Sequence, residues 1–317
     1  LRLTAREREI LEVLRKDPLI SQEDLAGRLR ISRSSAAVHI SNLMKKGAVL
    51  GKGYVFSEQA SIAVIGDIFL GIEVDETEPR IEICHSGTAL SLSTIFSELG
   101  IRPKVMTVLG NDDLATEILG RMQQLNIDTS SIVRLNKRRT CRRIYTQKEL
   151  IYEESIAEAE IQKAFESWAW AALNCEYLVV DPHYQTMIYQ LFNNKEEDSI
   201  PQLCTYGYLA DDQDISEATT HYHIVVLGVQ DPLAWDRCIS RCLELAKDDH
   251  LLVITDGSNH LVFIKDAQVY DFPLLPGQTF DWRTGIPRLL AGLVYGLSNR
   301  YPTRQAVRIG VGAASSN

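Results

Sequence analysis

Through the first sixty residues, apolar positions recur at helical spacing in three short blocks, each opened by a polar residue suited to capping. Thr4-x-x-Glu7 reads as a capping box, Ile10, Leu11 and Leu14 follow as an apolar stripe, and Pro18 closes the block. Ser21-x-x-Asp24 repeats that signature ahead of Leu25 and Leu29. A turn through Arg30 and Ile31 leads to Ser32, a third N-cap, and to a helix running to about Lys46 that Gly47 stops. Two β-prone stretches follow, 48–50 and 54–56, with Gly51-Lys52-Gly53 between them. From Ser61 the texture changes. Apolar runs at 62–65, 104–108, 177–180, 224–227 and 251–254 predict buried strands. Helical patterns at 88–99, 114–125, 161–173, 184–192 and 233–245 lie among them. This alternation predicts an α/β body, a mostly parallel sheet with helices on both faces. The polar, acid-rich stretch 193–220 shows no period and predicts a loop.

The chain thus divides into domains at 1–58 and 61–317, and charge divides the same way. The net charge is −9, yet residues 1–60 carry eleven Lys/Arg against seven Asp/Glu, a net +4, leaving −13 on the remainder. A basic head on an acidic body suits a nucleic-acid anchor joined to a module of another kind. In the third helix Ala36, Ile40 and Leu43 share one side, which predicts core. Ser34, Val38, Ser41 and Lys45 point the other way, with Arg33 at the N-terminal end. Small polar side chains let a helix approach base edges, and terminal cations meet phosphates. Three helices and a glycine-tipped hairpin describe a winged helix-turn-helix. The segment 21–56 resembles the winged-helix domains of bacterial regulators of the MarR, AsnC and BirA kind, chiefly through Ser32-Arg33-Ser34 and residues 43–53. Double-stranded DNA is the expected partner, contacted through Ser32, Arg33, Ser34, Ser35, Val38, Ser41, Lys45, Lys46 and Lys52. The competing reading is a small helical domain that binds protein.

Composition excludes several classes. Hydrophobic residues make up 45% and charged residues 24%, an ordinary globular balance. The longest apolar run, 289–297, is about half of the ~20 residues that span a bilayer. No signal-peptide segment opens the chain, so a cytoplasmic location without membrane contact is expected. The six cysteines are scattered and read as reduced thiols, and neither CxxC nor clustered histidine points to a metal. His221 and His223 straddle Tyr222 at strand spacing, which predicts both on one sheet face as ordinary packing.

The body resembles the ribokinase-like (PfkB) sugar and nucleoside kinases over essentially all of 61–317. The likeness rests on strand 62–65 with Gly66-Asp67, on Ser86-Gly87-Thr88-Ala89 before a helix, and on Val108-Leu109-Gly110-Asn111-Asp112-Asp113. Val253-Ile254-Thr255-Asp256-Gly257 resembles that family's nucleotide loop, and the tail from Pro273 through Phe280-Asp281 to Leu293 follows its second signature. The resemblance implies a three-layer α/β/α domain behind the small winged helix.

The departures from the family pattern concentrate at chemical positions. Where the family reads D-T-T-G-A-G-D, this chain has Asp281-Trp282-Arg283-Thr284-Gly285-Ile286-Pro287. The last position is the family's general base, a group that typically contributes ~10²–10⁴-fold, and Pro287 accepts no proton. Trp282 and Ile286 add bulk where glycines let backbone N–H groups reach phosphate. The proline itself is expected to sit harmlessly in the first helical turn. Phe69 and Gly71 replace the family's N-x-D, Ser91 its asparagine, Ser86 its leading glycine and His260 its second loop glycine. No Asn-x-x-Glu for metal appears between 224 and 235. Asp67 and Asp281 are candidates for a displaced base, and Arg283 or Arg288 for an anion contact.

These residues predict a DNA-binding transcriptional regulator, a homodimer whose kinase-like domain senses a sugar- or nucleoside-like effector without phosphotransfer. The effector site is expected at Asp67, Phe69, Gly87, Ser91, Asp281, Arg283 and Gly285, with Thr255 and Gly257 as a nucleotide-loop remnant. No cofactor is expected. ATP and Mg²⁺ belong to the competing reading, an active sugar or nucleoside kinase that also binds DNA.

Overall fold

The computed structural model describes residues 4–17, 20–45, 49, 62–75, 80–147, 149–193, 200–209, 215–229, 235–247 and 249–315. The first domain comprises α1 (Ala5–Lys16), α2 (Gln22–Leu29) and α3 (Arg33–Lys45). Thr4 and Glu7 form the reciprocal box: the Glu7 N–H donates to Thr4 Oγ1 at 3.2 Å and the Thr4 N–H to Glu7 Oε2 at 2.8 Å. At α2 the cap runs one way. The Asp24 N–H donates to Ser21 Oγ, but the Asp24 carboxylate takes the Ser21 hydroxyl (2.6 Å) instead of the backbone, being one methylene shorter than Glu. Arg30 turns the chain in the left-handed region (φ 51°), and Ser32 caps α3 through the Ser35 N–H. Ile10, Leu14, Leu25, Leu29, Ala36, Ile40 and Leu43 form the domain's core. The expected hairpin lies outside the described residues apart from Val49, which is buried and donates its N–H to Leu43 O.

The second domain runs β1 (Ile62–Ile65), β2 (Phe69–Asp75), β3 (Arg80–Ser86), α4 (Thr88–Glu98), β4 (Lys104–Met106), β5 (Val108–Gly110), α5 (Asp113–Gln124), β6 (Val133–Leu135), β7 (Arg142–Thr146) and β8 (Glu149–Glu153). It continues with α6 (Glu158–Leu173), β9 (Tyr177–Val180), α7 (Gln185–Phe192), β10 (Gln202–Leu209), β11 (Ile224–Val229), α8 (Trp235–Leu245), β12 (Leu251–Thr255), β13 (Leu261–Lys265), β14 (Gln268–Asp271), α9 (Trp282–Ser298) and α10 (Thr303–Ser315). Eight strands form the main sheet in the order β14-β13-β12-β11-β10-β9-β1-β4, parallel from β4 to β12. The last two pairings are antiparallel. One core packs α4, α5, α9 and α10 on one face, and a second packs α6, α7 and α8 on the other. Four strands, β3-β2-β7-β8, make a separate sheet beside the strand ends.

Three expectations fail here for physical reasons. The predicted loop 193–220 contains β10, a central strand. Its buried Thr205 donates to Val180 O (2.8 Å) and accepts from Gln185 Nε2 (2.8 Å), so a polar run is satisfied inside the sheet and leaves no apolar period. The predicted strand 104–108 breaks at Thr107 into β4 and β5, which belong to different sheets. His221 and His223 share no strand face. His221 ends a 3₁₀ turn stacked on Tyr189 at 3.9 Å, whereas His223 is buried ahead of β11 and accepts the Leu203 N–H at Nδ1.

Among the described residues, no helix is long and apolar enough to cross a membrane.

Candidate functional site

The solvent face of α3 carries Arg33, Ser34, Val38 and Ser41, all exposed, with Val38 at 58%. Ser35 is half-buried. The Ser32 hydroxyl is engaged by the Ser35 N–H and by Ser34 Oγ (2.9 Å), so its main duty is to cap the helix. Lys46, Lys52 and the Lys45 side chain lie outside the described residues.

In the second domain a cleft of about 1320 Å³, counting its open mouth, lies at the C-terminal ends of the sheet strands, where open α/β sheets bind ligands. Asp67, Phe69, Gly87 and Ser91 line it together with Pro287. Asp67, just past β1, accepts the Thr88 N–H at Oδ1 (3.1 Å) and pairs with Arg143 Nη1 at Oδ2 (2.6 Å). Arg143 also reaches Glu153 through Nε (2.6 Å) and lies 4.0 Å above the Phe69 ring. Gly87 has φ +119°, and a Cβ there would stand 2.4 Å from Asp67 O, so the turn into α4 requires glycine. Asp67 is therefore occupied by a cation and a helix end, which leaves it little capacity as a free base.

Asp181, Tyr206 and Tyr208 also line the cleft, and sequence reasoning missed all three. The tyrosines sit on β10, the strand read as loop. Asp181 follows the apolar run of β9 as Asp67 follows that of β1, a parallel that was available as a signal. Asp181 is 8% exposed and accepts the His183 N–H at 2.7 Å. Burial raises its pKa above the ordinary 3.8; the neighbouring Asp67 charge adds to this, and the Thr88 hydroxyl opposes it. Because the folded-state value is raised, Asp181 favours the fold when protonated, and that contribution is lost as pH climbs through the raised pKa. Asp181→Asn is therefore expected to stabilise the chain at pH 7 and to have no effect near pH 3.5. Urea unfolding at the two pH values tests this, and an equal shift at both overturns the assignment.

At the mouth of α9 the chain closes on itself. Asp281 caps the helix, Oδ1 accepting from the Arg283 N–H (3.1 Å), the Thr284 N–H (2.9 Å) and Thr284 Oγ1 (3.1 Å). Those bonds, the Thr284 N–H first, hold its pKa below the ordinary value. Gly285 is buried under the Phe280 ring, where a Cβ would come within 2.3 Å. Asp281, Arg283 and Gly285, expected in the effector site, thus build the helix end and do not line the cleft. The turn at residues 255–260 closes likewise. Asp256 Oδ1 accepts the N–H groups of Ser258 (2.9 Å), Asn259 (2.8 Å) and His260 (2.9 Å), while Thr255 Oγ1 takes the Gly257 N–H (3.0 Å).

Pro287 does not sit in the first turn as expected. It is the sixth residue of α9, so the Arg283 carbonyl loses its partner four residues on. Tyr208 Oη donates to that carbonyl instead. Tyr208→Phe is expected to cost about 1 kcal/mol in the native chain and close to nothing beside Pro287→Ala, which restores the backbone donor. A double-mutant cycle by urea unfolding reads the coupling, and equal costs in both backgrounds would refute it.

Similarity to known proteins follows the same division. The winged helix-turn-helix DNA-binding family matches residues 3–49. The second domain aligns with the adenosine kinase of Schistosoma mansoni in complex with 2-fluoroadenosine (TM-score 0.64, 12% identity, 81% of this chain and 95% of that one). It aligns equally with ribokinase from Thermotoga maritima (TM-score 0.62, 15% identity, 81% and 92%). This is a ribokinase-like fold behind a winged helix. A nucleoside kinase from Burkholderia thailandensis, solved with inosine, shares the ribokinase-like fold at TM-score 0.61 and 17% identity over 80% of this chain and 89% of that one. Among curated proteins, the uncharacterized sugar kinase YeiI of Escherichia coli strain K12 is 34% identical over 144 residues, 43% of this chain. The chain spans 40% of that relative's length. Among the described residues, no group of three or more His, Cys, Asp or Glu is placed to hold a metal ion.

Proposed function

We propose that this protein is a sequence-specific DNA-binding regulator whose ribokinase-like domain binds a sugar- or nucleoside-like effector and does not transfer phosphate. One observation carries the reading: Pro287, at the position of the base in the family this domain resembles, lines the cleft and accepts no proton. The N–H groups of residues 258–260 are also taken by Asp256, which leaves them no donor for phosphate. The effector acts by binding one arrangement of the dimer more tightly than another.

The four-stranded sheet supports the homodimer. Its register sets Ile83, Ile72, Ile144 and Tyr152 in one row across β3, β2, β7 and β8, with Ile81 and Val74 in the next. Ile81, Ile83 and Tyr152 are exposed, and a second copy placed face to face covers this apolar surface. A two-fold pair also matches the two half-sites of a palindromic operator.

Asp181 favours a second reading. It is a buried carboxylate with a raised pKa in the cleft that Pro287 also lines, which makes it a candidate base for an active kinase. Incubation with ATP, Mg²⁺ and a panel of sugars and nucleosides separates the two readings. The regulator turns over none of them. Turnover above about 0.1 s⁻¹, against ~1–100 s⁻¹ for kinases, that disappears in Asp181→Asn establishes the second reading.

A further inference from the structure

The cleft at the strand ends holds more negative than positive charge. Asp67, Asp181 and Arg143 line it, and Glu153 also holds Arg143, so three carboxylates stand against one guanidinium. Arg143 is fully engaged, by Asp67 and Glu153 at 2.6 Å each and by the Phe69 ring beneath it. Asp181 has no such partner: among the described residues, no lysine or arginine pairs with it. It accepts the His183 N–H and the Thr88 hydroxyl, and Thr88 gives its N–H to Asp67, so one residue separates the two carboxylates. A carboxylate only 8% exposed is unfavourable without a counter-charge, and a cation brought by a ligand supplies one.

The rings beside Asp181 suit the same guest. Tyr206 and Tyr208 line the cleft from β10 with centroids 5.8 Å apart, edge to face. The Tyr208 hydroxyl is fixed on the Arg283 carbonyl, and that of Tyr206 lies 3.5 Å from Thr88 Oγ1. Burial and then the Asp181 charge push the Tyr206 phenol up, which sets this ring close to the carboxylate. Aromatic faces attract a cation, more strongly where water is excluded. A phosphate entering here meets Asp67 and Asp181, and a neutral hydroxyl leaves the charge of Asp181 unanswered.

We propose that the cleft selects an effector carrying a protonated amine, an amino sugar or amino nucleoside, whose ammonium group sits between Asp181 and the rings of Tyr206 and Tyr208. The ammonium donates to the Asp181 carboxylate, and the hydroxyl-bearing skeleton extends past Ser86 and Ser91 toward the open mouth. The inference deepens the effector-sensing reading, on which it rests only for the consequence in DNA binding. It adds the charge of the ligand, which likeness to sugar and nucleoside kinases does not supply.

The test is isothermal titration of the full chain with probes matched in pairs, amine against hydroxyl: ethanolamine against ethylene glycol, glucosamine against glucose, and 5′-amino-5′-deoxyadenosine against adenosine. In at least one pair the amine is expected to bind roughly tenfold tighter than its partner, the worth of one charge-assisted hydrogen bond with a cation–π contact. Asp181→Asn is expected to erase that preference. Ser91→Lys, at an exposed cleft position, sets a competing cation nearby and is expected to weaken the amine roughly tenfold while leaving the hydroxyl partner within about threefold. Equal affinity within every pair, a preference that survives Asp181→Asn, no binding by any amine, or displacement of the amine by millimolar Mg²⁺ overturns the amine seat. Equal affinity with DNA retention still responding to a neutral probe leaves the sensing reading standing. Phosphorylation of an amine probe in the ATP assay overturns the sensing reading and leaves the seat.

Discussion

Gly110→Ala is expected to remove about 4 kcal/mol or more of stability from the second domain, the largest single effect we anticipate for so small a change. A Cβ at Gly110 would lie 2.2 Å from both Arg139 C and Thr140 N, which are backbone atoms with no rotamer to escape through. That segment is also pinned. The Thr140 N–H and hydroxyl donate to the two oxygens of Asp112 at 2.9 and 2.7 Å, the Asn111 N–H donates to Arg138 O, and the Gly110 N–H donates to Thr140 Oγ1. These hydrogen bonds hold the Asp112 carboxyl below its ordinary pKa despite partial burial. Displacing residues 139–140 drags the start of β7, and with it Arg143 of the cleft. Gly120→Ala is the control: nothing lies within 4 Å of its Cβ position on an exposed turn of α5. There alanine is expected to stabilise by roughly 0.5–1 kcal/mol through helix propensity. Urea unfolding followed by circular dichroism measures both. A Gly110→Ala midpoint equivalent to less than about 1 kcal/mol of loss would mean that the segment yields.

Val38→Glu is expected to lower DNA affinity about 100-fold while leaving the winged-helix domain folded. Val38 is the one large apolar side chain among the exposed residues at 34, 38 and 41, on the face of α3 opposite Ala36, Ile40 and Leu43. An apolar side chain in the major groove contacts a thymine methyl, the loss of one matched base pair in a specific site typically costs ~1–3 kcal/mol, and a carboxylate there adds repulsion from phosphates. The fold tolerates the change because the position is exposed and Glu is the better helix former. Arg33→Ala is the contrasting case: it weakens binding to all sequences and lowers the salt slope by about one. Filter binding on duplexes enriched from a random pool by the native chain, repeated over a salt series, distinguishes the two. Retention by Val38→Glu within threefold of native would remove Val38 from base contact.

Much of this architecture was legible beforehand because it depends on contacts close in sequence. The cap at Thr4, the core stripe Ala36-Ile40-Leu43, and strands such as 62–65 and 177–180 are set by neighbours three or four residues away or by uninterrupted apolar runs. Strand β10 was not legible, since Thr205 is paid for by Val180 and Gln185 from other elements. Tyr206 and Tyr208 were lost with it. The sheet from β2, β3, β7 and β8 was equally hidden, being half-exposed strands whose polar alternation resembles loop.

For the candidate site, the sequence alone determined where the chain departs from the family it resembles: proline at 287 in place of a proton acceptor, and threonine and isoleucine in place of glycine at 284 and 286. A side chain that cannot accept a proton is a local fact, independent of its surroundings. Only the tertiary structure decided what stands in those places. Asp281 and Asp256 seat themselves on the N–H groups of their own turns, Tyr208 reaches from β10 to the carbonyl that Pro287 leaves open, and Arg143 crosses from another sheet to neutralise Asp67. Who satisfies a polar group depends on what folding brings within 3 Å of it, and for Arg143 and Asp67 that partner lies 76 residues away, beyond the reach of any local pattern.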